Sequence, residues 1–511
     1  MINFLRTICL TFLLAVGISI SLYSQTWHHQ VDYQIDVRLD DKAHAVQGRE
    51  RVRYVNHSPD TLRQVYFRVA WQGRAPQVAS KHAVYAVQQN GIAIDFLLQE
   101  SKPDPAIPPQ SLSQTLLEIQ LSRPLLPGDS DVYTIAWQAD IPIFSGGFGR
   151  NSPSGVDYTF TNWYPQVCVY DHLGWHLGSP FEADFSSEFG TYKVEITLPK
   201  RYMIAATGVL QNVNTIGFGY ENPGEAVQPN YGLVHVWKFQ AERVRDFAWA
   251  ADPEWQHEKK QIRDSLTLHA FYFKNENQLA SLETVLRNYE QIAAPYRHPQ
   301  LSVVQMGELR AEIPMLVFAG SSVPHLDPAI SWDFQNNLLK STYLLRQFRY
   351  VMGDSAFRKG LEAIRSRYLY SSPPAAECVH LFERSSGLEL DWLWEQQWNT
   401  RSQVDYAIES VQAEGSDATM IVLQRVRGTV LPVVLELFFA DGTLERHYIP
   451  VDLLRAAIPK GMKATAQPVW PASDKKYSLK ISRPLGSIKS LVFDPQFLSG
   501  DVDNENNKKD F

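Results

Sequence analysis

From about residue 27 to about residue 250 apolar and polar side chains alternate with a period of two. No other feature limits the fold of this chain so strongly. The stretches "HAVQGRERVRYVNHS", "DVYTIAWQADI", "TYKVEITLPK" and "LVHVWKFQAE" all follow the pattern. A period of two puts alternate side chains on opposite faces of an extended strand, so each stretch reads as a strand with one buried face. Turn signals such as Pro127-Gly128 punctuate the strands. The first half of the chain is therefore expected to be an all-β domain of stacked sheets.

The period changes near residue 255. "LTLHAFYF", "QLSVVQMG" and "IPMLVFAG" read as strands. Between the first two, "ENQLASLETVLRNYEQIAAPY" places Leu279, Leu282, Leu286 and Tyr289 on one helical face. Residues 333–370 and 373–398 read as helical. Gly353-Asp354 divides the first of these stretches, and Pro373-Pro374 suits a helix start in the second. From Val404 strands return, with a hairpin around Asp441-Gly442, as a small β-sandwich ending near Phe497. The end "GDVDNENNKKDF" is polar and reads as frayed. A chain of 511 residues exceeds one compact core, and about two to four domains are expected.

The chain is 44% hydrophobic and 20% charged, as ordinary globular proteins are. Its net charge of -7 is spread along the sequence, which argues against a nucleic-acid partner. The start "MINFLRTICLTFLLAVGISISLYSQ" has Arg6 ahead of an apolar run from Ile8 to Tyr23 and small or polar residues after it. That is the layout of a signal peptide with cleavage near Ser24 or Gln25. An uncleaved anchor helix is the alternative, but the run is short for a membrane span. The expected product is exported, periplasmic or extracellular, and not transmembrane after cleavage. Cys168 and Cys378 are far apart in sequence and fit no metal pattern. They read as buried free thiols, with a disulfide as the alternative.

Several stretches resemble the M1 zinc aminopeptidases, particularly their exported bacterial branch. "TNWYPQVCVYDHLGWH" and "SEFGTYKVEITLPKRYMIAATGVL" resemble the family's N-terminal β-domain, and "FQAERVRDFAWAADPEW" its join to the catalytic domain. "LRQFRYVMGDSAFRKGL" and "SGLELDWLWEQQW" resemble the helices beyond the active site. "VDYAIESV" and "FDPQFLSGDVDNENN" resemble the C-terminal domain. The matches run in family order from about residue 30 to residue 507. The resemblance implies a multidomain β and α+β fold: an N-terminal β-saddle, a truncated thermolysin-like catalytic domain, a helical segment and a C-terminal β-sandwich. The boundaries expected are a signal peptide at 1–24, the β-domain at 25–250, a catalytic-domain remnant at 251–330, helices at 331–402, the sandwich at 403–500 and a polar tail at 501–511.

Zinc-dependent peptide hydrolysis needs three protein ligands and one open position for water. The family supplies two of these from His-Glu-x-x-His, where a four-residue spacing puts both imidazoles on one helix face and the Glu is the general base. A second Glu about 18 residues further on completes the set. None of the fourteen histidines here starts that motif. His257 is followed by Glu258, but Gln261 stands where the second His belongs. His172 and His176 have the spacing, but Leu173 replaces the Glu and Gly174 lies between them. Their match is to a β-domain loop of the family, so a turn or packing role is expected. The family strand before the metal helix is Gly-Gly-Met-Glu-x-Pro, and "LRAEIPM" occupies its place. The resemblance implies that Glu312 grips a free N-terminal amine and that Ala311 lies along the substrate strand, with Arg310 obstructing that path. An exposed edge-strand carboxylate is the plainer reading of Glu312. The tyrosine that bonds the oxyanion in the family falls on Leu338, beside a matching Lys340, and leucine offers no donor. Tyr343 and Tyr350 face other directions on that helix. Only 23 residues separate Pro314 from Leu338, whereas the metal motif through its second Glu needs about 24.

Two further sites fail on chemistry. Ser355 in "GDSAF" lacks the frame of a nucleophile elbow. Asp171, Glu182 and Asp184 have nothing that places them at a cleft. The favoured expectation is a non-catalytic pseudopeptidase, with no cofactor in place of the family's zinc. It would bind a peptide or protein partner through residues 309–318, where "MLVF" at 315–318 is expected to be exposed. The alternative is an active zinc aminopeptidase with ligands not visible in the sequence. A deletion in the gene is a third reading, opposed by the amphipathicity kept through 333–350.

Overall fold

The structure, a computed structural model, describes residues 27–69, 82–100, 115–144, 147–172, 174–177, 187–222, 224–273, 282–284, 286–287, 290, 296–307, 312–319, 342–368, 375–400, 403–454, 458 and 462–511. The expected signal peptide lies outside them. Among the described residues no helix is long and apolar enough to cross a membrane.

The alternating stretches build an eight-stranded sheet. Its long strands are β1 (Gln30–Asp40), β2 (Ala45–Val55), β3 (Ser130–Asp140), β4 (Gly190–Pro199) and β5 (Val234–Val244). The spatial order is Val209–Leu210, β5, β4, β1, β2, β3, His82–Gln89, Ile92–Ala93. β1 and β4 run parallel, while β1–β2, β2–β3 and β4–β5 are antiparallel. One face is apolar and buried: Val31, Tyr33, Ile35, Val37 and Leu39 on β1 meet Val46, Val52 and Tyr54 on β2. Two four-stranded sheets lie in the same domain, one of them containing Leu62–Val69 and the other Trp249–Asp252. Trp137, Trp163, Trp237 and Trp249 are fully buried in the shared core, where Phe160 stacks on Trp249 with centroids 3.8 Å apart. Gly190 is required at its place: a Cβ there would lie 1.7 Å from the Val31 carbonyl oxygen.

A five-stranded sheet follows: β6 (Gln256–Arg263), β7 (Leu266–Tyr272), β8 (Gln300–Gln305), β9 (Glu312–Ile313) and β10 (Leu316–Ala319), in the order β6-β7-β8-β10-β9. The central strands β7, β8 and β10 are parallel, and both edge strands are antiparallel to their neighbours. Parallel strands are ordinarily covered on both faces, and these are. Phe271, Val304, Met306, Leu316 and Phe318 join the core of the β-domain. Leu268, Ala270, Leu301, Val303 and Val317 join a second core with the helices and the C-terminal strands.

The expected exposure of "MLVF" is therefore corrected. Met315, Leu316, Val317 and Phe318 are all at most 2% exposed. Their alternation sends Leu316 and Phe318 to one covered face and Val317 to the other.

Leu282 and Leu286 of the expected first helix are buried in the second core. Helices α1 (Thr342–Met352), α2 (Asp354–Arg367), α3 (Ala375–Ser386) and α4 (Asp391–Thr400) follow. Gly353, with φ +77°, divides α1 from α2 where the sequence indicated. The C-terminal strands form a three-stranded and a five-stranded sheet. In the latter Val433–Phe439 pairs with Leu444–Ile449 across Gly442.

The tail does not fray. Lys508–Asp510 pairs with Ile488–Phe493 as an edge strand. Its acidic residues accept backbone N–H groups: Asp501 Oδ2 that of the distant Tyr406 at 2.8 Å and Oδ1 that of the nearby Asp503 at 3.0 Å. Such side-chain-to-backbone bonds order a polar segment without apolar burial.

Candidate functional site

The stretch that matches the family's substrate strand lies at an edge of the five-stranded sheet, as its described strands are ordered. Glu312 pairs with Val317 and Ile313 with Leu316, leaving Pro314 and Met315 as a two-residue turn. Proline presets the first turn position, and the second needs a positive φ. Met315 supplies φ +67° while its side chain is buried. A non-glycine residue there is strained by roughly 1 kcal/mol, which the burial of its thioether offsets. The Met315 carbonyl accepts the Ser302 N–H at 2.8 Å, tying the turn to β8. Beyond β8, Gly307 N–H donates to Ser154 Oγ of the β-domain at 2.9 Å. Ala311, Arg310, Leu338 and Lys340 lie outside the described residues. Of Glu312 only the backbone position is described, on the edge strand.

The opposite edge of this sheet is clasped by the β-domain. His257 on β6 donates from Nδ1 to the Phe218 carbonyl at 2.8 Å, so its Nε2 is the acceptor for Nδ1–H of His269 on β7 at 2.9 Å. Lys259 donates to the carbonyls of Tyr220 at 2.8 Å and Glu221 at 2.7 Å. The two imidazoles stack on each other and on Phe271, with Tyr220 over His257. Burial holds His257 down to about 4 and His269 well below the ordinary imidazole range; the neighbouring Lys259 ammonium adds to both effects. Both rings are neutral and bound to each other, an arrangement suited to joining domains.

The other expected residues fall in separate places. His176 Nε2 lies 2.9 Å from Asp171 Oδ1 in the small hairpin of Tyr170–Asp171 and Gly174–Trp175. Arg68 donates to the His176 carbonyl, and Trp175 packs against Tyr66. This is the packing role expected of "HLGWH". Glu182 and Asp184 lie outside the described residues. The Tyr350 hydroxyl accepts the Val434 N–H at 3.1 Å, so this tyrosine faces the C-terminal sandwich. Ser355 is exposed on the first turn of α2. Cys168 and Cys378 are free and buried.

Zinc, which the fold family implies, is poorly served by these donors. Among the described residues no three His, Cys, Asp or Glu side chains converge on one point. The imidazole pair at His257 and His269 has committed both Nδ1–H groups and one Nε2 to hydrogen bonds. The residues described do not fit the ion.

Three groups escaped the sequence reading. Glu50 faces inward on β2, fully buried, and neither carboxyl oxygen has a hydrogen-bond partner among the described residues. Its signal was present: in "GRERVRY" it occupies an apolar beat of the alternation. The pairing of His257 with His269 needs the β6–β7 register, which no spacing rule supplies. Arg38 and Arg49 stand on polar beats of the alternation, but that pattern alone does not place them in one cleft.

Comparison with known proteins gives one kind of answer. No protein-family model matches the chain, and no curated protein matches it. Among solved structures, a point mutant of the M1 zinc metallopeptidase from Deinococcus radiodurans matches with a TM-score of 0.51 at 13% identity. The match covers 73% of this chain and 95% of that one. The M1 zinc metallopeptidase from the same organism matches with a TM-score of 0.46 at 13% identity, over 71% and 92% of the two chains. The first of these likenesses shows an M1 metallopeptidase fold, in keeping with the multidomain, β-rich architecture described above.

Proposed function

We propose that this chain is a non-catalytic relative of the M1 peptidases, exported from the cell and working without zinc. We further propose that it holds a peptide or protein partner along the edge strand Glu312–Ile313. The observation that carries the reading is in the sequence: no histidine begins His-Glu-x-x-His anywhere in 511 residues. Without two imidazoles on one helix face and a carboxylate beside them, the ion and the water it activates have no seat. The 23 residues between Pro314 and Leu338 are too few to hold the motif.

The edge position of β9 supports the binding role. An edge strand leaves one row of N–H and C=O groups unpaired by its own sheet, and an extended peptide satisfies them by adding a strand. The buried state of residues 315–318 moves the expected contact from the apolar face to this edge. Glu312 and Ala311 then act on the backbone or N-terminal amine of the bound segment.

The test is metal content and hydrolysis measured on one preparation. The full chain, expressed in zinc-replete medium, is assayed by elemental analysis and against a panel of aminoacyl-anilides. Sub-stoichiometric zinc and no chelator-sensitive cleavage are expected. Near-stoichiometric zinc together with chelator-sensitive release of the N-terminal residue overturns the proposal and restores the active aminopeptidase.

A further inference from the structure

The outward face of the eight-stranded sheet carries an organised set of charges that the peptidase fold does not call for. Register fixes its rows. Arg49 on β2 faces Asp36 on β1, which faces Glu195 on β4, which faces Lys238 on β5. The next row is Gln47, Arg38, Thr197 and Val236, and the row on the other side is Arg51, Gln34, Lys193 and Gln240. Five cationic side chains stand against two anionic ones, on a chain whose net charge is -7. A shallow cleft of about 290 Å3 opens between the rows, lined by Arg38, Arg49, Asp36, Gln47, Thr197 and Tyr85 among others.

The groups in this cleft are not spent on one another. Glu195 is held by Lys238 at 2.7 Å. Arg38 and Arg49 have no hydrogen-bond or ion-pair partner among the described residues. They are diagonal neighbours on antiparallel strands, a separation of roughly 7 Å that long side chains bridge. One oxyanion between them would meet two planar forks of donors, the geometry that matches carboxylate or sulfate. Tyr85 stands at a register shift in the strand His82–Gln89 and is 59% exposed. Bulges re-aim side chains in this way, and a tyrosine ring gives an apolar platform with a polar tip. Asp36, Gln47 and Thr197 add acceptors for hydroxyl groups. Two carboxylates line the cleft, Asp36 and the Lys238-held Glu195; they disfavour a bare polyphosphate or acidic peptide, but serve a ligand that also donates hydroxyls.

We propose that this face binds an anionic carbohydrate, with a uronate or sulfate group between Arg38 and Arg49, a sugar ring against Tyr85 and ring hydroxyls on Asp36. The site is separate from the edge strand Glu312–Ile313 and does not depend on the reading given to that strand.

The test uses the full chain and calorimetric titration at about 50 mM and about 300 mM NaCl, which separates screened attraction from fitted contacts. The probes are tetragalacturonate, a heparin tetrasaccharide, neutral maltotetraose and hexaglutamate. At least one acidic sugar is expected to bind, maltotetraose not, and hexaglutamate about tenfold more weakly than the sugar. Arg38→Gln/Arg49→Gln is expected to lose about tenfold or more at either salt, and Tyr85→Ala several-fold at the higher salt. Lys476→Ala/Lys480→Ala, an equal charge change on another sheet, is expected to leave binding intact. All altered side chains are outward-facing, and thermal melts check that each variant folds. Failure of both acidic sugars to bind, equal affinity for hexaglutamate, or indifference to Tyr85→Ala overturns the proposal. Equal loss in the Lys476/Lys480 control does so too, since it would reduce the effect to net charge.

Discussion

Replacing Glu50 with leucine is expected to make the protein more stable. Glu50 pairs across strands with Ile35 and Ile135 and is fully buried, with both carboxyl oxygens unpartnered among the described residues. Burial pushes its carboxyl well above the usual range, so the native state holds it as a neutral acid. A buried polar group without a partner costs about 1–3 kcal/mol. Leucine is of similar size and removes that cost, so Glu50→Leu should gain about 1–3 kcal/mol at pH 4, where both states are largely protonated, and more at pH 7. In a domain of some 200 residues a gain of about 1–3 kcal/mol corresponds to a rise of roughly 2–12 °C in melting temperature. The sign of the pH dependence follows from the raised native value. At pH 4 both folded and unfolded chains hold the proton. As pH rises past the ordinary value of 4.5, the unfolded chain ionises and the native one does not, and the wild type loses stability by at most about 1.4 kcal/mol per pH unit. Glu50→Gln, which cannot ionise, should match the wild type at pH 4 and exceed it at pH 7. Urea unfolding followed by tryptophan fluorescence at both pH values measures the gap. If Glu50→Leu is less stable than wild type, or the gap with Glu50→Gln does not widen with pH, the carboxyl has a partner and the reasoning fails.

Three other perturbations probe the remaining structure. The clasp of His257 and His269 should open in acid: with both native values depressed, their contribution is full above pH 6.5 and falls below it, that of His257 being lost as pH drops through about 4 and that of His269 also in acid. Hydrogen exchange should then show early loss of protection around residues 217–221, and unchanged protection down to pH 4 would contradict the assignment. Cys168 and Cys378, whose thiols burial pushes up, should ignore Ellman's reagent in the native protein and both react in denaturant; a fast native reaction at either would show an accessible thiol. Gly190→Ala should cost about 3 kcal/mol or more, because its Cβ meets the backbone oxygen of Val31. A melting temperature within about 2 °C of wild type would mean that β1 and β4 can separate there at little cost.

Much of the fold was legible because a period of two leaves little choice. On β1 and β2 the alternation of charge and hydrocarbon fixes which face is buried. Gly353-Asp354 and Asp441-Gly442 mark their boundaries through backbone chemistry. Misreadings arose where burial depends on distant segments. The exposure assigned to residues 315–318 assumed that a sheet face once covered by metal-bearing helices stays bare. The structure covers one face with the β-domain and joins the other to a core containing Leu344, Leu345 and Phe348 of α1. The tail was read as frayed from polarity alone, yet Asp501 and Asp494 organise it by accepting backbone N–H groups at 2.6–3.0 Å. At the edge strand the legible part is negative, the missing motif. The positive part, the proposed contact at Glu312, would depend on a partner's chemistry and is not encoded in spacing.

This division bears on how an M1 fold persists without the motif that gives the family its chemistry. A sheet of parallel strands survives only if both faces stay dry, and β10 meets that condition one residue at a time. Leu316 and Phe318 are held by the β-domain, and Val317 by the core that includes the helices. The β6 edge is closed by His257 and Lys259, which take the carbonyls of Phe218, Tyr220 and Glu221. What the sheet keeps open among its described strands is the β9 side, where the proposed binding would use backbone groups rather than a metal. Strand addition needs an unpaired edge and a rigid sheet behind it, and no titrating group or ion. On the proposed reading, the features retained are those a strand-adding site requires, and the one removed is the one it can do without.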